Sequence, residues 1–135
     1  MKNKYFVILA ISILTLHMAC NRDKQVTGPT VITQDNVMVT VGDQEIEVSN
    51  QTGDAIYYAV FPESILPLIY WAPCIDPGTC ENRIPNDRQV SLSIAEILNS
   101  IEDDTLVFYW WHLIEQGDGT YNFDTINNIK IKLVR

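Results

Sequence analysis

One nine-residue run limits the architecture of this chain more than any other. Thr105 to Leu113 (TLVFYWWHL) is the most apolar stretch beyond the N-terminal segment. A strand has a period of two, so Leu106, Phe108 and Trp110 share one face while Val107, Tyr109 and Trp111 share the other. Large side chains on both faces are costly to leave in water. The run therefore belongs at the centre of a layered fold, covered on both sides.

The rest of the pattern agrees. Val37, Val39 and Val41 alternate with Met38 and Thr40, and after Gly42-Asp43 the alternation resumes with Ile46 and Val48 against Glu45 and Glu47. This predicts a hairpin with one wet face. Asn50 to Asp54 is a turn cluster, and Ala55 to Phe61 (AIYYAVF) reads as a central strand ended by Pro62. The segment EIEVSNQTGDAIYYAVF resembles the early strands of immunoglobulin-like sandwich domains on secreted bacterial proteins. Further on, Pro67 to Ala72 reads as another strand, Pro73 to Cys80 as a stiff loop, Asn82 to Asp87 as loop and Gln89 to Leu92 as a short strand. The period then changes. Ser93 and Glu96 form a capping box ahead of Ile94, Ile97, Leu98 and Ile101, which predicts a helix over 94–101. Glu102-Asp103-Asp104 is an acidic turn, and Gln116-Gly117-Asp118-Gly119 is a hairpin turn before a strand at Thr120 to Phe123. Asn128 to Val134 alternates Ile129, Ile131 and Leu133 inward with Lys130 and Lys132 outward. Seven or eight strands separated by turns make an all-β chain, a small immunoglobulin-like β-sandwich with one short helix. A small barrel is the alternative.

The front of the chain serves a different purpose. Lys2 and Lys4 precede an apolar run, Phe6 to Leu16. As a helix at about 1.5 Å per residue it spans roughly 16 Å, too short for roughly 30 Å of bilayer hydrocarbon but right for a signal-peptide core. The run ends at Leu16-His17-Met18-Ala19-Cys20. Residues 1–20 resemble a bacterial lipoprotein signal with a relaxed lipobox, Ala19 fitting the position before the cysteine and His17 standing where leucine is usual. The resemblance implies cleavage before Cys20 and lipidation of Cys20 by diacylglycerol and palmitate-type acyl chains. It also implies an exported protein of the cell envelope, bound to the membrane through its lipid. Asn21, in place of a retaining aspartate, points to the outer membrane or cell surface in an organism that has one. An ordinary cleaved signal peptide is the plainer alternative. The expected division is a signal peptide over 1–19, a lipidated cysteine and polar tether over 20–34 with a coil reach of roughly 20 Å, and one domain over 35–135.

The chain has three cysteines. Lipid on Cys20 leaves Cys74 and Cys80, an even pair close enough to bridge in an oxidising compartment. Such a bridge stabilises by roughly 2 kcal/mol on the chain-entropy model. Half a zinc site is the other reading of the pair, although no second ligand pair stands at the right spacing.

Charge narrows the partners. The 9 basic and 17 acidic residues become 7 and 17 once Met1 to Ala19 is removed, a net −10. Such a surface repels the phosphate backbone and points away from nucleic acid as a partner. The chain has no nucleophile-elbow, zinc-protease, phosphate-loop or dinucleotide motif, and it points to no cofactor and no metal site. After cleavage His112 is the sole histidine, read as a structural, hydrogen-bonded ring rather than a catalytic base. Neither Glu102-Asp103-Asp104 nor Asp118 with Asp124 follows a calcium-loop order. The sequence thus favours a non-catalytic interaction or structural domain. A second reading is an inhibitor or ligand-binding module that presents the Cys74–Cys80 loop, and a third is an enzyme built on His112. Aromatic residues offer one more candidate. Trp110 is expected in the core, whereas Tyr109 and Trp111 form the face that would bind a protein or carbohydrate partner if it were exposed.

Overall fold

The structure, a computed structural model, describes residues 29–134. The expected signal peptide, Cys20 and most of the expected tether lie outside the described residues. Among the described residues ten strands, one α-helix and one 3₁₀ helix follow one another. The strands are β1 (Thr30–Gln34), β2 (Val37–Val41), β3 (Glu45–Asn50), β4 (Ile56–Pro62), β5 (Arg83–Ile84), β6 (Arg88–Ser93), β7 (Thr105–Trp111), β8 (Leu113–Glu115), β9 (Tyr121–Phe123) and β10 (Asn127–Lys132). The 3₁₀ helix, Glu63–Leu68, follows β4, and helix α1, Ile94–Leu98, follows β6. Among the described residues no helix is long and apolar enough to cross a membrane.

Two antiparallel four-stranded sheets are ordered β1-β2-β3-β6 and β10-β7-β4-β5, with β8 and β9 as a separate hairpin. The chain passes between sheets after β3, β5 and α1. Strands β2, β3 and β6 thus take the places of the first, second and fifth immunoglobulin strands, facing β4, β7 and β10 in the other layer. The fold is an all-β sandwich with an extra strand, β1, outside this frame.

Alternation builds the core. Val37, Val39, Val41, Ile46 and Val48 from the first sheet meet Ile56, Tyr58, Leu106, Phe108, Trp110, Ile129 and Ile131 from the second. Each fully buried aliphatic side chain of this set contributes about 1.5–3 kcal/mol of transfer free energy. Tyr58 stacks on Phe108 at 5.4 Å, and burial raises the Tyr58 phenol above its ordinary pKa. Helix α1 seals one end with buried Ile94 and Leu98. Ser93 caps it, its Oγ accepting the Glu96 N–H at 3.3 Å. The helix stops three residues before the predicted end because Asn99 and Ser100 adopt positive φ, which no helix continues.

Three sequence readings are corrected. The reading of 20–34 as tether and 35 as the domain start gives way to β1, which pairs with β2 from Thr30↔Val41 to Gln34↔Val37. The two strands join through Asp35 and Asn36, both at positive φ, the geometry of a two-residue hairpin turn. Pro67 to Ala72 is not a strand but the end of the 3₁₀ helix followed by extended chain without ladder bonds. Arg83-Ile84, read as loop, is a short strand whose Ile84 pairs with Ile56 and is 1 % exposed.

Asn50 fixes the β3–β4 turn from inside and was read only as part of a turn cluster. Its side chain is fully buried, and Nδ2 donates to the carbonyls of Asp54 (2.7 Å) and Ile84 (2.9 Å). Its Oδ1 accepts from the backbone N–H (3.0 Å) and hydroxyl (2.8 Å) of Thr52. Every donor of this buried amide is used, which is the condition for burying it at modest cost.

Candidate interaction site on the bridged strap

The outer face of the second sheet is aromatic. Register places Tyr57 opposite Trp111, Ala59 opposite Tyr109 and Phe61 opposite Val107. Ala59 is the small residue in this row, and a ring from elsewhere in the chain stands among its large neighbours. Trp71 packs 4.8 Å from Tyr109, 5.5 Å from Phe61 and 6.2 Å from Trp111.

Trp71 belongs to a strap, residues 69–82, that crosses this face instead of pairing with its edge. Pro67 and Pro73 flank its first part and remove two ladder donors, so alternation survives without a ladder. Residues 69 and 71 are half-buried, while Leu68 and Tyr70 are 82 % and 98 % exposed. The Trp111 Nε1–H donates to the Cys74 carbonyl at 2.9 Å and fixes the middle of the strap. Cys74 and Cys80 are bridged, with Cα atoms 5.7 Å apart, as expected from the cysteine count. Within the bridge the Asp76 carbonyl accepts the N–H groups of Thr79 and Cys80, both at 3.0 Å, and Asp76 Oδ1 accepts the Gly78 N–H at 2.9 Å. The strap rejoins the sheet where the Tyr58 N–H reaches the Asn82 carbonyl at 3.2 Å.

At its other end the strap is held through the 3₁₀ helix. Asp103 Oδ2 accepts the Ser64 N–H at 2.7 Å and Oδ1 the Thr105 N–H at 3.0 Å. The Ser64 bond is the main reason its carboxyl sits below the usual range. Glu63 pairs with Lys130 and Asp104 with Lys132, and the Lys132 ammonium lowers the Asp104 carboxyl. The acidic turn therefore works as a clasp.

The sequence candidates fall as follows. Trp110 lies in the core with Leu106 and Phe108. Trp111 is 2 % exposed and Tyr109 half-buried beneath Trp71, so these two rings do not form the exposed face that would bind a partner. A face this apolar needed a cover, and residues 69–82 supply one. His112 interrupts the long strand between β7 and β8, where its Nδ1 lies 3.2 Å from the Ala55 carbonyl and its ring stands edge-on to Trp110 at 5.6 Å. Asp118 accepts from the hydroxyl and amide of Thr120, at 2.6 and 3.0 Å, and these bonds lower its carboxyl. Among the described residues no group of three His, Cys, Asp or Glu side chains is placed to hold a metal ion.

Sequence reasoning did not single out Leu68, Tyr70 and Ile75 as one exposed apolar set, although the bridged loop that carries Ile75, 48 % exposed, is one of its candidates. The signal was present. LPLIYWAP alternates, and reading it as a strand hid the fact that one side of the alternation had nowhere to go. The first sheet carries open polar grooves, one along Ser49, Gln51, Arg88 and Gln89 and one along Thr40, Asp43, Glu45, Glu47 and Ser91, in which the Ser91 hydroxyl donates to Glu45 at 2.7 Å. The chain matches no family model, no curated protein and no solved structure.

Proposed function

We propose that this chain is an exported binding module of the cell envelope, anchored by lipid at Cys20, that presents its bridged strap to a protein partner. The observation that carries the binding role is Tyr70, 98 % exposed beside Leu68 on a segment that is otherwise clamped. Apolar side chains exposed on a rigid backbone lose little entropy when a partner covers them, and aromatic anchors of this kind dominate protein interfaces. The anchor is supported by the sequence of residues 1–20 and by the bridge, which suits an oxidising compartment.

Two measurements test the halves of this reading separately. Labelled fatty acid should appear on the mature N-terminus, and Cys20→Ala should remove it; an unlipidated mature chain would refute the anchor alone. Cross-linking and affinity capture from the native envelope should recover a partner with the wild-type chain and not with the Leu68→Ser/Tyr70→Ala double variant. The double variant should unfold in urea like the wild type. Equal capture by both forms would refute the strap as the binding surface.

A further inference from the structure

The two sheets have four edges, and three of them are blunted against pairing with another chain. Strand β10 carries Lys130 and Lys132, β5 is two residues long and runs into Pro85, and β6 begins at Arg88 and runs directly into α1. Lysines, prolines and short length are the ordinary means of protecting an edge. Strand β1 is less protected: Pro29 stands directly before it, but its own five residues include no lysine or proline. Its five residues, Thr-Val-Ile-Thr-Gln, are uncharged, contain no proline and include four β-branched side chains. Among the described residues it lies at the end of its sheet and pairs with β2 alone, and Val31 is 54 % exposed.

Hairpin geometry states which backbone groups this edge offers. In a two-residue hairpin the residues flanking the turn exchange both hydrogen bonds, here Gln34 and Val37. Alternation then turns the groups of Gln34, Ile32 and Thr30 toward β2. The N–H and C=O of Val31 and Thr33 point away from the sheet.

We propose that β1 is a self-pairing edge, and that a second copy of this chain adds its own β1 antiparallel across a two-fold axis through Ile32. The register closes on itself. Val31 faces Thr33 of the second copy and Thr33 faces its Val31, so each pair exchanges two bonds and all four outward N–H groups of the two strands are satisfied. Ile32 faces Ile32 of the second copy as a non-hydrogen-bonded pair, the closer kind. Ile32 is half-buried against the core cluster, so pairing completes its burial. No charge in Thr30–Gln34 opposes a like charge, which a two-fold contact would otherwise force. Five residues bury too little surface for a permanent dimer, so the pair is reversible and joins the first sheets of two copies into one eight-stranded sheet. This inference does not depend on the strap or the anchor.

In situ cross-linking of the full chain tests it. Opposed Cα atoms of a non-hydrogen-bonded pair lie about 4.5 Å apart, within disulfide range. Ile32→Cys should therefore yield a cross-linked dimer on mild oxidation, well above the wild-type background. Thr30→Cys should not, because antiparallel register sets Thr30 against Gln34 of the second copy. Adding Val31→Lys to Ile32→Cys should lower the yield several-fold without changing the thermal midpoint, and adding Tyr70→Ala should leave the yield unchanged. Because Ile32→Cys alters a half-buried residue, sedimentation of the full chain in mild detergent gives an independent reading: the wild type should show concentration-dependent dimer and Val31→Lys only monomer. The proposal is overturned by equal cross-linking at positions 30 and 32, by a yield that survives Val31→Lys or is abolished by Tyr70→Ala, or by a wild type that stays monomeric at all concentrations.

Discussion

The outer faces of the two sheets are built from the same alternation and meet opposite fates. On the first sheet the outward positions are Thr40, Glu45, Glu47 and Ser91, and that face lies open to water. On the second they are Tyr57, Phe61, Val107, Tyr109 and Trp111, and residues 69–82 cross over them. The difference shows that a strand apolar on both sides commits the chain to a third layer, even a thin one. That layer here is a single segment stiffened by its own disulfide and tied to the sheet by the Trp71 ring, the Trp111 indole hydrogen bond and the Tyr58–Asn82 backbone bond.

Substitutions under the strap should act like core substitutions. Trp111→Ala removes a buried ring, the hydrogen bond to Cys74 and part of the seat of Trp71, and should cost about 3–5 kcal/mol, as should Trp110→Ala on the opposite face. Urea unfolding of both variants checks this. Near-wild-type stability for Trp111→Ala would mean that the strap does not seal the face. Opening the bridge comes next. Cys74→Ser/Cys80→Ser should cost roughly 2 kcal/mol, with hydrogen exchange quickening over 69–82 and not in the first sheet. Uniform quickening would erase the distinction between strap and sandwich.

Acid should loosen the clasp at the start of the strap before it unfolds the sandwich. The Asp103 and Asp104 carboxyls are held low by the Ser64 amide and by Lys132 respectively, so their folded pKa values lie below the unfolded ones. Their contribution is then complete above about pH 4 and is lost as pH falls through the lower folded values. Both are exposed, so the effect on global stability should be small. Amide chemical shifts of Ser64 and Thr105 should titrate together below about pH 4, and Asp103→Asn should abolish that titration. Flat shifts would remove the clasp. The smallest effect belongs to the open face: Glu47→Gln should change stability by no more than about 0.5 kcal/mol. A larger loss would show that the first sheet's outer face is not simply solvated.

Much of this contrast was legible in the residues. Val37 to Val48, Thr105 to Trp111 and Ile129 to Leu133 carry a period of two strong enough to set both strand and face, and Ser93 with Glu96 marks where the period changes. The disulfide followed from counting. What the sequence concealed depends on long-range partners. Alternation in LPLIYWAP is local, whereas the absence of a ladder beside it is a tertiary fact, and nothing near Trp71 announces Tyr109, thirty-eight positions away. Strand β1 was hidden because Thr and Gln read as tether, although Asp35-Asn36 between two β-branched runs is a recognisable hairpin turn. The run Thr105 to Leu113 calls for cover on both faces, but nothing in its own residues says that 69–82 supplies the cover over Trp111.

The bridge also alters what cutting this chain would do. Exposed loop tips are the segments that proteases grip. A nick between Ile75 and Thr79 would free two new ends without releasing either half, since Cys74 and Cys80 stay joined. The strap could be cleaved at its most accessible turn and the protein would still migrate as one piece until reductant was added.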